Sequence, residues 1–221
     1  MTELNPDSID RRPIQSRNAR WAQAVSRYLA KLDVSPNAIS LFGTLAAVVA
    51  GISFQLTSVS ADVAQRVFWF IGGVLCQVRL LCNLFDGMVA VERNIASARG
   101  ELYNEVPDRV SDAAVMIGLG YAAGGDVTTG YLAALVSVFV AYVRAVAKSV
   151  GAPNDFCGPM AKPQRMALVT AVAVYLTFSP VAWRLHWGEA RIALLIVTTG
   201  GILTALRRLV RAVRHLEGGA R

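Results

Sequence analysis

Five polar side chains lie at or inside two very hydrophobic segments of this 221-residue chain. Asn83 and Asp86 are three residues apart, and Asn104, Asp108 and Asp112 follow at intervals of four, so each set lies on one face of a helix. Carboxylate and amide oxygens on two facing helices suit a hard cation such as Mg²⁺ or Mn²⁺, which in turn binds diphosphates. Neither set contains His or Cys, which argues against zinc. The pattern predicts a metal site that handles a phosphate compound.

Burying these groups in a membrane is costly. A charged side chain at the bilayer centre costs about 2.5–3.5 kcal/mol on insertion scales, so two facing polar rows favour a functional site over packing contacts between helices. Gly87 and Ala90 leave a groove without large side chains beside Asp86, where a ligand or another backbone can approach closely.

The segments that carry these residues are predicted to cross a membrane. The chain is 54% hydrophobic and 17% charged, and its mean hydropathy is +0.45, values typical of a membrane protein. Six apolar runs are each long enough to span about 30 Å of hydrocarbon. They cover residues 36–56, 67–90, 106–123, 129–148, 166–183 and 190–206. We therefore predict an all-α integral membrane bundle of six transmembrane helices.

The region before the first span has two parts. Residues 1–16 are polar, whereas in 17–33 apolar and basic residues alternate at helical spacing. The second part is predicted to be an amphipathic helix in the membrane interface, with packing against other protein as the alternative. Ser35 is predicted to cap the first span, with Pro36 at its first helical position. The predicted organisation is a polar tail at 1–16, an interfacial helix at 17–33, a six-span domain at 34–210 and a basic C-terminal tail at 211–221.

The distribution of basic residues predicts the orientation. Of the 22 Lys and Arg, Arg66, Arg184 and Arg191 lie by the loops after the first, third and fifth spans, and three more lie within spans. All others lie on the opposite face. The positive-inside tendency places both termini, the loops at 91–105 and 149–165, and the site in the cytoplasm, in a multi-pass protein of the cell membrane. Basic residues spread along one membrane face indicate anionic lipid and phosphate compounds as partners, and no nucleic acid.

The same polar residues resemble the signature of the CDP-alcohol phosphatidyltransferase family, D-x2-D-G-x2-A-R-x8-G-x3-D-x3-D. The spacing is kept from end to end, and five of the eight fixed positions match in type. Asn83, Val91 and Asn104 are the departures. The "SPN" before the first span, "AYVRAVAK" in the fourth and "AKPQR" before the fifth also resemble the family. The residues at the signature positions are Asn83, Asp86, Gly87, Ala90, Val91, Gly100, Asn104 and Asp108.

This resemblance implies a six-span enzyme of phospholipid synthesis. Such an enzyme uses a divalent metal, Mg²⁺ or Mn²⁺, to transfer a phosphatidyl or similar phospho-alcohol group from a CDP-linked lipid. CDP-diacylglycerol is the expected donor, a small hydroxylated compound is the acceptor, and CMP is released. Membrane lipid is a further expected partner, and a homodimer is an expectation at the level of the family.

The resemblance also assigns roles to residues. Asp86 would be a metal ligand, with Asn83 and Asn104 at two further ligand positions, and Asp108 would be both a ligand and the general base. Asp112 extends the row by one turn as an auxiliary ligand. The nucleotide would lie against Gly87, Ala90 and Gly100. Arg144, Lys162 and Arg165 would bind the acceptor phosphate, since guanidinium and ammonium groups form charge-assisted bonds to phosphate.

The two asparagines leave alternatives open. An amide oxygen ligates Mg²⁺ but carries no negative charge, so two metals would be poorly neutralised. One alternative is that the site binds one metal, or binds metal only together with the diphosphate. A second is that Glu101, Glu105 or Asp112 supplies the missing negative charge. A third is that the chemistry has been lost. In the last case the protein is a catalytically degenerate membrane protein that binds CDP or lipid headgroups without turnover.

Overall fold

The structure, a computed structural model, describes residues 19–95 and 98–218, and every regular element in these two ranges is helical. The predicted tail at 1–16 and the side chain of Glu101 lie outside the described part. The seven α-helices are α1 (Arg20–Lys31), α2 (Pro36–Leu56), α3 (Asp62–Glu92), α4 (Ala98–Gly120), α5 (Val127–Ser149), α6 (Lys162–Phe178) and α7 (Glu189–Gly218), with a short 3₁₀ turn at Val181–Trp183.

The six predicted apolar runs correspond to α2 to α7, with some ends moved. The cap of α2 is as predicted, because the Ser35 hydroxyl accepts a hydrogen bond from the backbone N–H of Ala38 at 3.2 Å and Pro36 opens the helix. Helix α6 ends at Phe178 rather than at residue 183, because Ser179 is extended before Pro180. Helix α7 continues to Gly218, so residues 211–218 of the predicted C-terminal tail are helical.

Four of the described helices, α2, α3, α5 and α7, are long and apolar enough to cross a membrane. Helix α4 carries the polar row, and α6 has 17 residues. The chain is therefore an integral membrane protein with four candidate spans among its described helices.

Helix α1 lies across the end of α3 that carries Asn83 and Asp86. The rings of Trp21 and Phe85 meet edge to face, with centroids 6.1 Å apart, and Leu29 packs against the small cluster that includes Val89. Trp21, Val25 and Tyr28 remain exposed. Helix α1 thus packs on protein and still presents apolar and basic side chains outward, as an interfacial helix requires.

The bundle brings α3 and α4 together through α2. Helix α2 packs on both α3 and α4, α5 joins α4 to α7, and α6 packs against α3. The main hydrophobic core runs through these contacts, and its largest side chains include Phe54, Trp69 and Leu194. The polar rows of α3 and α4 therefore lie at one end of a packed bundle rather than on its surface.

Two glycines allow α2 and α4 to cross closely. A Cβ atom added at Gly118 would lie 2.3 Å from the Cα of Gly51, and one added at Gly51 would lie 2.4 Å from the carbonyl oxygen of Ala114. Backbones approach this closely in membranes only where the interface residues are small.

Substitution of Gly118 by Ala is expected to force α2 and α4 apart. Overpacking of this kind lowers the free energy of unfolding by about 1–3 kcal/mol, which thermal unfolding in detergent monitored by circular dichroism would detect. Gly218→Ala is the matched control, because no atom lies within 4 Å of the added Cβ there. Equal unfolding temperatures for the two variants would contradict the close crossing.

Candidate active site

The polar rows of α3 and α4 face each other, as their spacing predicts. The side-chain amide nitrogen of Asn83 donates to the Oδ1 atom of Asn104 at 3.3 Å and to Oδ1 of Asp108 at 3.0 Å. Residues 21 and 25 positions apart are thus joined across the two helices. Three of the signature positions, Asn83, Asn104 and Asp108, therefore meet in three dimensions.

Asp86 is buried on the α2 side of this site. Its Oδ2 atom accepts a hydrogen bond from the Ser40 hydroxyl at 2.6 Å, and its Oδ1 atom accepts one from the backbone N–H of Gly87 at 2.6 Å. Each oxygen has one protein donor and keeps further lone pairs for a ligand. These bonds fix the orientation of the carboxylate.

Asp108 contacts two cations and one amide through a single oxygen. Arg79 Nη2, Lys162 Nζ and the Asn83 amide all approach its Oδ1 atom, with Lys162 at 2.6 Å and Asn83 at 3.0 Å. No contact among the described residues engages Oδ2. The carboxylate is thus held by one oxygen, and the other is available to a substrate.

Asp112 lies one turn further along α4 and forms a buried ion pair through one of its two oxygens. Its Oδ2 atom is 2.5 Å from Arg165 Nη2, and both side chains are buried. Arg165 also donates to the carbonyl oxygen of Met160 at 3.1 Å. Lys162 lies 3.8 Å from Oδ1 of Asp112. Lys162 and Arg165, which the sequence placed in an acceptor pocket, therefore contact carboxylates of α4 in the structure.

The donor set contains ligand types that suit a divalent cation. Amide and carboxylate oxygens of Asn83, Asn104 and Asp86 are ligand types that Mg²⁺ and Mn²⁺ accept. The charge of Asp108 is already matched by Arg79 and Lys162, and that of Asp112 by Arg165. Within the described residues, no three His, Cys, Asp or Glu side chains form a group that could hold a metal.

A cavity of about 340 Å³ opens between α5, α7 and the loop at 150–161. Four basic side chains line it: Arg144, Arg208, Arg211 and His215. Among the described residues that line the cavity, Asp155 is the one acidic side chain. Burial alone would raise the pKa of Asp155, but the backbone N–H of Cys157 at 2.7 Å and Arg211 at 3.4 Å hold it below its usual range. The cavity has an excess of positive charge and suits an anion.

Arg144 connects this cavity to α4, the helix that carries Asn104 and Asp108. It donates to both carboxylate oxygens of Glu105, at 2.6 and 2.8 Å, and its guanidinium lies 5.0 Å from the centre of the Phe156 ring. Arg109 binds the same carboxylate. Glu105 thus forms ion pairs with both Arg109 and Arg144, and its carboxylate fixes the position of the Arg144 guanidinium.

The basic residues of α7 were missed by the sequence analysis, which assigned residues from 211 onward to a tail. A signal was present, because Arg208, Arg211 and His215 recur at intervals of three and four and therefore share one helix face. Arg208 is buried and donates to the carbonyl oxygens of Cys157 and Val140. It joins the loop at 150–161 to α5.

A second cavity, of about 480 Å³, lies between α1 and α3. Gly87 and Val91 line it from α3, and Ser26 and Arg27 line it from α1. The hydroxyl of Ser26 is buried and has no hydrogen-bond partner among the described residues. Of the residues predicted to contact a nucleotide, Gly87 borders this cavity, whereas Ala90 and Gly100 are not among its lining residues.

Comparison with known proteins gives one family and a consistent set of relatives. Residues 33–200 match the model of the CDP-alcohol phosphatidyltransferase family. A phosphatidylinositol phosphate synthase from Mycobacteroides abscessus is 26% identical over 206 residues, covering 90% of this chain and 86% of that protein. An archaetidylinositol phosphate synthase from Pyrococcus horikoshii is 23% identical over 201 residues, covering 89% and 93%.

Solved structures share the fold. The crystal structure of phosphatidylinositol phosphate synthase from Mycobacterium tuberculosis with CDP-DAG bound superposes with a TM-score of 0.72 at 22% identity, covering 88% of this chain and 94% of that one. The same enzyme in complex with manganese and citrate gives a TM-score of 0.71 at 22% identity, covering 86% and 88%.

Proposed function

Because the chain belongs to the CDP-alcohol phosphatidyltransferase family, whose model matches residues 33–200, we propose that it transfers a phosphatidyl group from a CDP-linked lipid to a phosphorylated polyol. By its family the chain is a membrane phosphotransferase of phospholipid synthesis. The observation that carries the proposal is the junction of Asn83, Asn104 and Asp108 across α3 and α4, beside a basic cavity.

The donor is a CDP-linked lipid, CDP-diacylglycerol in the first instance. A relative of the same fold binds CDP-DAG. In this chain the cavity between α1 and α3 lies at Gly87, where the absence of a side chain lets a nucleotide approach the backbone. Arg27 lines the cavity together with Val91. It supplies from α1 the positive charge that the family signature places at position 91.

One divalent cation, Mg²⁺ or Mn²⁺, would be held by Asp86 and the amide oxygens of Asn83 and Asn104. When bound, it would neutralise charge on the donor diphosphate. Asn83 keeps its amide nitrogen on Asn104 and Asp108, and its amide oxygen would be the atom that ligates the cation. A relative has been crystallised with manganese.

Asp108 takes the proton of the acceptor hydroxyl on its Oδ2 atom. The contacts of Arg79, Lys162 and Asn83 with Oδ1 hold the carboxylate in one orientation. As the proton moves to Oδ2, the acceptor oxygen forms a bond to the phosphorus attached to the lipid. The bond from that phosphorus to the bridging oxygen breaks, and CMP leaves with the bond electrons. Positioning and charge stabilisation supply most of the rate, as in other phosphoryl transfers.

The acceptor is a phosphorylated polyol, of which inositol phosphate is the first candidate. Several relatives are named for products that carry inositol phosphate. The cavity lined by Arg144, Arg208 and Arg211 has the charge to hold a phosphate monoester. Arg144 also binds Glu105, which follows Asn104 directly in the sequence. The cavity therefore lies next to the polar row of α4.

The proposed function is consistent with a six-span topology. Helices of 23 and 17 residues measure about 34 and about 26 Å, so α4 and α6 can join the four candidate spans in a six-span bundle. The polar face of α4 lies against α3 and α6 instead of lipid. The positive-inside tendency then places the site, both termini and the basic cavity in the cytoplasm. A homodimer remains a proposal at the level of the family.

The direct test is release of CMP by the purified protein in lipid nanodiscs. CDP-diacylglycerol is supplied with inositol phosphate or with unphosphorylated inositol, in Mg²⁺, Mn²⁺ or EDTA. We expect release that requires a divalent cation and the phosphorylated acceptor. Saturable binding of CDP without release, under either cation and with either acceptor, would instead identify a binding protein without turnover.

A further inference from the structure

Arg79 is a buried cation in the middle of α3 that the family signature does not include. Its side chain is 1% exposed. It lies four residues before Asn83 and hence on the same face of the helix. Space for it comes from Gly43 of α2, where an added Cβ would lie 2.8 Å from Arg79 Nη1. A guanidinium in this position is costly unless it has a partner that compensates its charge.

Only one of the three guanidinium nitrogens of Arg79 has a hydrogen-bond partner among the described residues. Nη2 pairs with Asp108, but Nε and Nη1 are buried and have no hydrogen-bond partner among the described residues. Buried donors without acceptors are unfavourable, and a guanidinium binds phosphate oxygens through two nitrogens at once. The unpaired nitrogens of Arg79 therefore point to an anionic ligand at the junction of α3 and α4.

The charges at this junction balance without any metal. Three carboxylates, those of Asp86, Asp108 and Asp112, are matched by three cations. The cations are Arg79, Lys162 and Arg165. A diphosphate esterified at both ends brings one negative charge per phosphate, so a single divalent cation restores neutrality. A second divalent cation would leave an excess of positive charge in a poorly solvated site, which is strongly unfavourable.

We propose that the guanidinium of Arg79 takes the place of one divalent cation, so that the site binds a single metal ion and the guanidinium holds the donor diphosphate directly. The two asparagines belong to the same arrangement. Relative to the aspartates of the family signature, Asn83 and Asn104 lower the negative charge of the site by two units, which is the charge of the divalent cation that is not bound. This proposal rests on the proposed function, because it takes the ligand to be a CDP-linked donor.

The test counts bound Mn²⁺ by the loss of its free electron paramagnetic resonance signal. The full chain is used in nanodiscs, with CDP-glycerol as a soluble diester of CDP. We expect a single Mn²⁺ per wild-type chain in the presence of CDP-glycerol. A variant that combines Arg79→Met with Asn83→Asp and Asn104→Asp should bind two, because it restores carboxylates and removes the internal cation.

Affinity for CDP-glycerol gives an independent measurement. Arg79→Met should weaken it about tenfold or more, as expected for the loss of charge-assisted hydrogen bonds. Arg79→Lys keeps the charge and should recover part of the affinity. Arg66→Met is the matched control, because Arg66 also lies in α3 but binds the carbonyl oxygens of Thr177 and Ser179 instead. Circular dichroism establishes that each variant is folded.

The outcomes separate this proposal from the proposed function. Two Mn²⁺ per wild-type chain, or unchanged CDP-glycerol affinity in folded Arg79→Met, would overturn the role of Arg79 and leave the transferase assignment standing. If the wild-type chain binds no CDP-glycerol with or without Mn²⁺, both proposals are wrong.

Discussion

Turnover of the Asp108→Asn variant is expected to fall about 10²–10⁴-fold, the range contributed by a positioned general base. The substitution preserves the shape of the side chain and leaves one amide oxygen to accept from Arg79, Lys162 and Asn83, but it removes the negative charge. It removes the proton-accepting Oδ2 atom that the protein leaves uncovered. The measurement is CMP release in nanodiscs with CDP-diacylglycerol and inositol phosphate.

The control for this result is Asp62→Asn. Asp62 is an exposed carboxylate in the first turn of α3 with a φ of +49°, a conformation that Asn adopts readily. Its replacement should leave CMP release unchanged. If Asp108→Asn retains wild-type turnover while it binds the donor normally, Asp108 is not the base, and the proton must leave the acceptor by another route.

Replacement of Arg144 by Gln is expected to raise the KM for inositol phosphate about 10–100-fold. Each lost charge-assisted hydrogen bond to a phosphate costs about 1.5–3 kcal/mol. The KM for CDP-diacylglycerol should stay the same, because the proposed donor cavity lies between α1 and α3 and Arg144 does not line it. Steady-state kinetics with each substrate varied in turn measure both values, and Arg144→Lys should recover part of the loss.

Arg207→Gln is the matched control for the cavity. Arg207 lies on the exposed side of α7, next to Arg208 in sequence, and it is absent from the cavity lining. It tests whether loss of positive charge at this end of the bundle is enough to weaken acceptor binding. A comparable rise in the KM for inositol phosphate in Arg207→Gln would contradict a phosphate site in the cavity.

The two sites act on different parts of the reaction. Under the proposed function, the junction of α3 and α4 would hold the diphosphate and the base, whereas the cavity between α5 and α7 would hold the acceptor. Glu105 lies between them, next to Asn104 in sequence and bonded to Arg144. A contact of this kind fixes the distance between the acceptor phosphate and the base, which is what positioning requires.

The sequence alone determined the features that depend on local spacing. Intervals of three and four residues put Asn83 with Asp86, and Asn104 with Asp108, on single helix faces, because an α-helix repeats every 3.6 residues. Ser35 and Pro36 marked the start of α2, since capping involves only neighbouring residues. The signature spacing gave the family because it is a pattern along the chain.

Only the tertiary structure decided which helix faces meet. The close crossing at Gly51 and Gly118 sets how α2 and α4 pack, and no periodicity within one helix specifies it. The contact of Arg79 with Asp108 joins residues 29 positions apart. The sequence placed Lys162 and Arg165 in an acceptor pocket, but the fold turns both toward carboxylates of α4. Pairing of buried charges depends on three-dimensional proximity, which helical periodicity alone does not determine.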